Sequence, residues 1–238
     1  TLGIDRDIEA AFARKAAELG VGPQIYSIVT EKGILISEFI DGASLLPAQI
    51  KDPETLLEVI SQLKLFHSQK IKHADLYREK SKKKWESFLK DTPVYTDIAA
   101  YMEVQKLISQ CLNNNVGLCH GDLWAPNILR IEGIGYKFID WEYGFIGNVL
   151  FDLAGFCVMN GLDSVHVLEA YFLEEANIYK KSFEQMKSLV HLRCVLWVYK
   201  KWYKLGDRRD WYQNYFLKHR DKLPEVLQRV FPMSLSNT

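Results

Sequence analysis

Apolar residues recur at helical spacing near the start of the chain. Ile8, Ala11, Phe12, Ala16 and Leu19 fall on one face of residues 5–19. Asp5 is placed to cap this helix, and Gly20 and Gly22-Pro23 to stop it. Two β-like runs follow, 24–29 and 34–40, around a Glu31-Lys32-Gly33 turn that predicts a hairpin, with Asp41-Gly42 breaking the second. The next stretch reads as helices. Residues 53–69 carry Leu56, Leu57, Ile60, Leu63 and Phe66 on one face, 80–91 carry Trp85, Phe88 and Leu89, and 98–112 end at Asn113-Asn114-Asn115. The cluster Lys80, Lys82, Lys83 and Lys84 reads as a solvated helix face. Then the texture changes. VGLCH, NILRI and YKFID are short strand-like runs between polar loops, and after Asp152 the pattern returns to helices with an aromatic-rich tail. This order of elements predicts an α+β fold.

Composition narrows the possibilities. At 238 residues, 48% hydrophobic and 25% charged, the chain is long enough for a sizeable core and is neither disordered, collagen-like nor a coiled coil. Thirty basic residues balance thirty acidic ones, so no global charge favours nucleic acid or an anionic membrane surface. Cys111, Cys119, Cys157 and Cys194 form no CxxC pair and read as reduced, buried thiols. No apolar run is long enough to span a bilayer; 145–159 comes closest, and Asn148 and Asp152 interrupt it. The first residues hold early acids and no apolar signal core, so a cytoplasmic location is expected.

One segment carries chemistry. His120-Gly121-Asp122 is followed by Asn127, and Asp140-Trp141-Glu142 ends the next strand-like run. Loops between strands, and the ends of strands, bring polar groups into one crevice. Phosphoryl transfer from a nucleotide needs this set: an aspartate to position an acceptor hydroxyl and take its proton, and an Asn oxygen with a second carboxylate to hold Mg²⁺. The protein-kinase pattern H-R-D-x-x-x-x-N followed by D-F-G has the same Asp-to-Asn interval. Gly121 stands here where that pattern has Arg. Turn residues are common in loops, but the combined spacing with flanking strand-like runs favours the chemical reading.

The stretch LCHGDLWAPNIL…FIDWEYGFIGNVLFDLAGF resembles the aminoglycoside phosphotransferase and choline kinase superfamily. The resemblance implies a protein-kinase-like two-lobe fold, with ATP as phosphoryl donor and Mg²⁺ as cofactor. It makes Asp122 the catalytic base and Asn127 and Asp140 the Mg²⁺ ligands. Asp152 becomes a structural acid steadying the loop, and His120 a loop-positioning residue. Upstream, GILISEFIDGASL looks like the strand and linker that carry adenine, with Glu38 and Ile40 offering backbone groups and Phe39 between them. Glu9 matches the acid that pairs with the phosphate-binding lysine. No lysine and no glycine-rich loop precede Glu9. The expectation is therefore a truncated N-lobe in residues 1–40 and a mostly helical C-lobe in 41–238, from a longer protein, from one whose sequence here lacks those residues, or from an inactive relative.

The acceptor is narrowed by IDWEY followed by DLA, which looks most like bacterial choline and ethanolamine kinases, and thiamine kinases. The tail is rich in Trp and Tyr rather than acid. A quaternary ammonium has no N–H, and aromatic faces attract it by cation–π interaction. Trp197 and Trp202, with Glu142 or Tyr143, are the expected acceptor-site residues. Trp211, Tyr212 and Tyr215 read as packing or surface. Thiamine kinase, an aminoglycoside or sugar kinase, and a catalytically silent binding module are the competing readings. The partners expected are ATP and a small-molecule acceptor.

Overall fold

The computed structural model describes residues 4–207 and 209–235. Asp5 opens the first helix as its sequence suggests: the carboxylate accepts from the amides of Asp7 and Ile8, satisfying two N–H groups that a helix start leaves unpaired. The chain then runs as α1 (Arg6–Glu18), burying Ile8, Phe12, Ala13 and Ala16. The hairpin forms from β1 (Ile25–Val29) and antiparallel β2 (Ile34–Ser37), with Gly33 in the left-handed region at φ 63. β2 ends at Ser37 rather than at residue 40, although the Glu38 amide still donates to the Gln24 carbonyl at 2.8 Å.

A two-residue strand, β3 (Ala43–Ser44), leads through the single turn α2 (Pro47–Ile50) to α3 (Pro53–His67). Next come α4 (Ala74–Leu89), α5 (Pro93–Thr96) and α6 (Ile98–Asn113). α4 starts well before the apolar stripe at 85–89, because its first turns are helical but mostly polar. The lysines of α4 are not a uniformly solvated face. Lys80 reaches Asp5, the cap of α1, at 3.1 Å and Asp7 within it at 2.8 Å, and Lys84 is half-buried with its ammonium 5.1 Å from the centroid of the Tyr143 ring.

The three strand-like runs become β4 (Val116–Cys119), β5 (Ile128–Ile131) and β6 (Gly135–Phe138). The apolar run at 145–159 is two elements: β7 (Phe145–Asn148), antiparallel to β4, then α7 (Val149–Asn160). Asn148 ends the strand and caps the helix, its side-chain oxygen accepting from the Leu150 amide at 2.9 Å. β3, β5 and β6 form a separate antiparallel sheet in the order β3-β5-β6.

Helices α8 (Ser164–Phe172), α9 (Ala176–Tyr203), α10 (Tyr212–Arg220) and α11 (Glu225–Gln228) complete the chain. α7 is buried on nearly every side and packs on α9, which also carries α10. Burying Leu150, Phe151, Leu153 and Phe156 contributes about 1.5–3 kcal/mol each, and so fixes β4, β7 and their loops against α9. All four cysteines are free and buried, and burial pushes the Cys111 thiol up to about 12. Among the described residues no helix is long and apolar enough to cross a membrane.

Candidate functional site

The loop between β4 and β5 is held by one buried carboxylate. Asp152, in the first turn of α7, accepts from the His120 amide at 2.6 Å and the Gly121 amide at 2.7 Å. A third donor is His67 Nε2 at 3.1 Å, while His67 Nδ1 accepts from the Tyr171 hydroxyl at 2.9 Å. Burial opposes ionisation of Asp152, but the hydrogen bonds from His67 and the Gly121 amide outweigh it and hold its pKa below the ordinary value. Burial lowers the pKa of His120, so its ring is neutral. Its Nε2–H donates to the Ile139 carbonyl at 3.0 Å, and its Nδ1 accepts from the Asp122 amide at 3.2 Å.

Gly121 sits at φ 80, and a Cβ there would overlap the Tyr143 carbonyl oxygen and stand 2.9 Å from its carbon. Only glycine lets the two chemistry-bearing segments approach this closely. They are joined again at Asn127, whose carbonyl accepts from the Ile139 amide at 3.0 Å. The Asn127 amide nitrogen donates to the Asp122 carbonyl at 2.9 Å, leaving its side-chain oxygen as the atom available to a cation. Asp140 follows Ile139 in the left-handed conformation, φ 66, which an aspartate tolerates better than most residues.

The donor set fits a divalent metal. Burial, then the neighbouring charge of Asp122, raises the Asp140 pKa, and Glu9 adds to it. Burial and the charge of Asp140 raise that of Glu142. Asn127 and Asp140 are the residues that would hold Mg²⁺, a hard cation that takes oxygen ligands and would offset this crowding of acids.

The Asp122 carboxylate opens into a cavity of about 500 Å³, lined by Glu142, Tyr143, Trp197, Trp124, Trp211 and Tyr215 among others. Trp197 stacks near Trp211, with ring centroids 6.2 Å apart; Trp211 meets Tyr215 edge-on at 5.5 Å. The Lys201 ammonium lies 5.5 Å from the Trp197 centroid, so one face of this indole already meets a cation. Trp202 is not among the residues lining the cavity. It lies five residues beyond Trp197, about 140° around the helix at 100° per residue. Trp211 and Tyr215, read from sequence as packing or surface, line the cavity instead. Arg193 was not singled out by sequence reasoning at all. It lies one turn before Trp197 on α9, and that i, i+4 spacing is the signal that would have found it.

The remaining sequence candidates do not line this cavity. Glu9 pairs with Arg6 at 2.6 Å, and Arg6 also reaches Glu142 at 3.8 Å. The Glu38 carboxylate accepts from the Gln24 amide at 3.1 Å and lies 3.6 Å from Lys137. The backbone groups expected to face a purine are partly committed, since the Glu38 amide bonds Gln24 and the Ile40 carbonyl accepts from Gly42 at 3.0 Å. Phe39 is 89% exposed.

A family model described as choline/ethanolamine kinase matches residues 2–191. A LicA homolog from Metamycoplasma hominis is 29% identical over 189 residues, covering 74% of this chain and 70% of its own. The ethanolamine kinase of Plasmodium vivax aligns in three dimensions with a TM-score of 0.72 at 20% identity, over 96% of this chain and 75% of that one. The choline kinase LicA of Streptococcus pneumoniae aligns with a TM-score of 0.71 at 21% identity, over 92% and 80%. These likenesses establish the kinase-like α+β fold.

Proposed function

The chain belongs to the choline/ethanolamine kinase family and is a small-molecule kinase, and on that premise we propose that it moves the γ-phosphate of ATP to the hydroxyl of a small cationic alcohol, choline or ethanolamine. The observation that carries this reading is the shared lining of one cavity by the Asp122 carboxylate and by Trp197, Trp211 and Tyr215. The acceptor's ammonium rests against the aromatic wall while its hydroxyl meets Asp122. Asp122 orients that hydroxyl and takes its proton as the oxygen bonds to the γ-phosphorus and the bond to the bridging oxygen breaks, releasing ADP. When bound between Asn127 and Asp140, Mg²⁺ supplies charge neutralisation of the phosphates. The protein's share is placement. The Asp152 bonds to the His120 and Gly121 amides fix the loop, and Asn127 fixes the Asp122 backbone. The described part of residues 1–40 supplies the N-lobe side of this arrangement, and the segment 38–40 carries adenine by its remaining backbone groups.

The test is turnover of Mg-ATP by the full-length protein against choline, ethanolamine, thiamine and an aminoglycoside. Choline or ethanolamine is expected to be preferred. Turnover confined to thiamine or the aminoglycoside would replace this acceptor assignment, and none with any acceptor would leave a binding module as the better reading. Trp197→Ala is expected to raise KM for choline by about 2- to 30-fold, matching a cation–π contact of about 0.5–2 kcal/mol, with a smaller change in kcat. Trp202→Ala is expected to leave that KM within about twofold, since it points to another face of α9. An equal rise in both variants would sink the assignment of the cage to the Trp197 face.

A further inference from the structure

A cation stands beside the expected base. The Arg193 guanidinium donates to the Gly121 carbonyl, and its other nitrogen is 3.5 Å from the Asp122 carboxylate. It is mostly buried and flanked by aromatic rings, its carbon 5.4 Å from the centroid of Phe151 and 6.0 Å from that of Tyr143. The loop sequence itself supplies no positive charge between His120 and Asn127.

We propose that Arg193 is a positioning residue for the phosphoryl transfer, fixing the direction in which Asp122 presents its carboxylate to the acceptor hydroxyl. This rests on the kinase reading above. Two fixed points are needed to aim a carboxylate on a loop. Asp152 holds the loop's amides from the core side, and Arg193 holds its next carbonyl and the carboxylate from the cavity side. The planar guanidinium suits both acceptors at once, which an ammonium on a flexible stem does less well. Arg193 is also a cation in a cavity proposed to receive a cation, and Lys84 adds a second beside it. Burial, and after it the charge of Arg193, pushes the Lys84 amine down to about 8. Arg193 therefore contributes nothing to holding the acceptor's ammonium. Its loss lowers kcat and does not weaken acceptor binding.

Arg193→Ala in the full-length protein is expected to lower kcat about 100-fold, the scale of an ångström-sized misplacement, with choline KM not raised. Arg193→Lys is expected to recover part of kcat, and added guanidinium to restore part of it in the alanine variant. A kcat within about threefold of wild type would overturn the proposal, as would a raised KM at unchanged kcat, or failure of both lysine and guanidinium to restore rate. Wild-type inactivity on every acceptor tried would count against the kinase reading instead. Hydrogen exchange at residues 120–124 needs no acceptor and decides the positioning claim alone. Faster exchange confined to this loop in both variants is expected, and unchanged exchange overturns the claim whatever the acceptor. If the alanine variant does not fold, the lysine variant carries both readouts.

Discussion

Asp122→Asn removes turnover, lowering kcat about 10²- to 10⁴-fold while ATP still binds. The range is what a positioned general base contributes. The replacement keeps the shape of the side chain, and the loop's bonds are made by other atoms. The Asp122 amide donates to His120 Nδ1, its carbonyl accepts from Asn127 Nδ2, and the neighbouring amides hang from Asp152. What changes is that an amide cannot take the hydroxyl proton, nor offer a full charge to Arg193 at 3.5 Å. Single-turnover phosphoryl transfer, measured beside calorimetric ATP binding, separates a lost chemical step from lost nucleotide binding. A variant that still turns over within about tenfold of wild type removes Asp122 from the role of base.

Asp152→Ala is expected to cost stability and turnover together, by about 3–5 kcal/mol of unfolding free energy. This is the penalty for breaking a buried charged network by removing one member. Three donors lose their acceptor: the amides of His120 and Gly121 and the Nε2–H of His67. Against a total stability of about 5–15 kcal/mol the loss is large. The pH dependence has a definite sign. The folded pKa of Asp152 lies below its unfolded value, so between the two the unfolded chain binds more protons and acid favours unfolding. The contribution is complete above the unfolded value, about 3.9, and fades as pH falls through the folded one. Urea unfolding from pH 7 towards pH 3 should show wild type losing stability in acid more steeply than Asp152→Asn. Parallel curves would mean that the ion is not what holds the loop.

Much of this site is local, and that is why it was legible. Asp122, Asn127 and Asp140 lie within two loops, and strand ends flanking polar residues predict a crevice without knowledge of the rest. Asp5 and its helix were legible for the same reason, since a cap and a 3.6-residue period are short-range signals. β7 was not, because a strand buried on both faces and a buried helix are alike in hydropathy, and 145–159 contains one of each. Lys84 was misread because charge alone does not say which side of α4 meets Tyr143. Arg193 was missed because its acceptor is 72 residues away in sequence. Trp202 shares α9 with Trp197 but lies on another face, whereas the cavity is built by helical phase and by α10 folding back on α9.

The overlap that any side chain at position 121 would make with Tyr143 bears on how such a loop can be rewritten. An arginine at this position, as in the protein-kinase pattern, would have to push the Tyr143 backbone aside and separate Asp122 from Asp140. The guanidinium beside Asp122 instead arrives from α9 and ends on the carbonyl of Gly121 itself. A charge that one lineage can carry next door in sequence is here imported through space. Transplanting the loop into another scaffold would leave that charge behind unless α9 went with it.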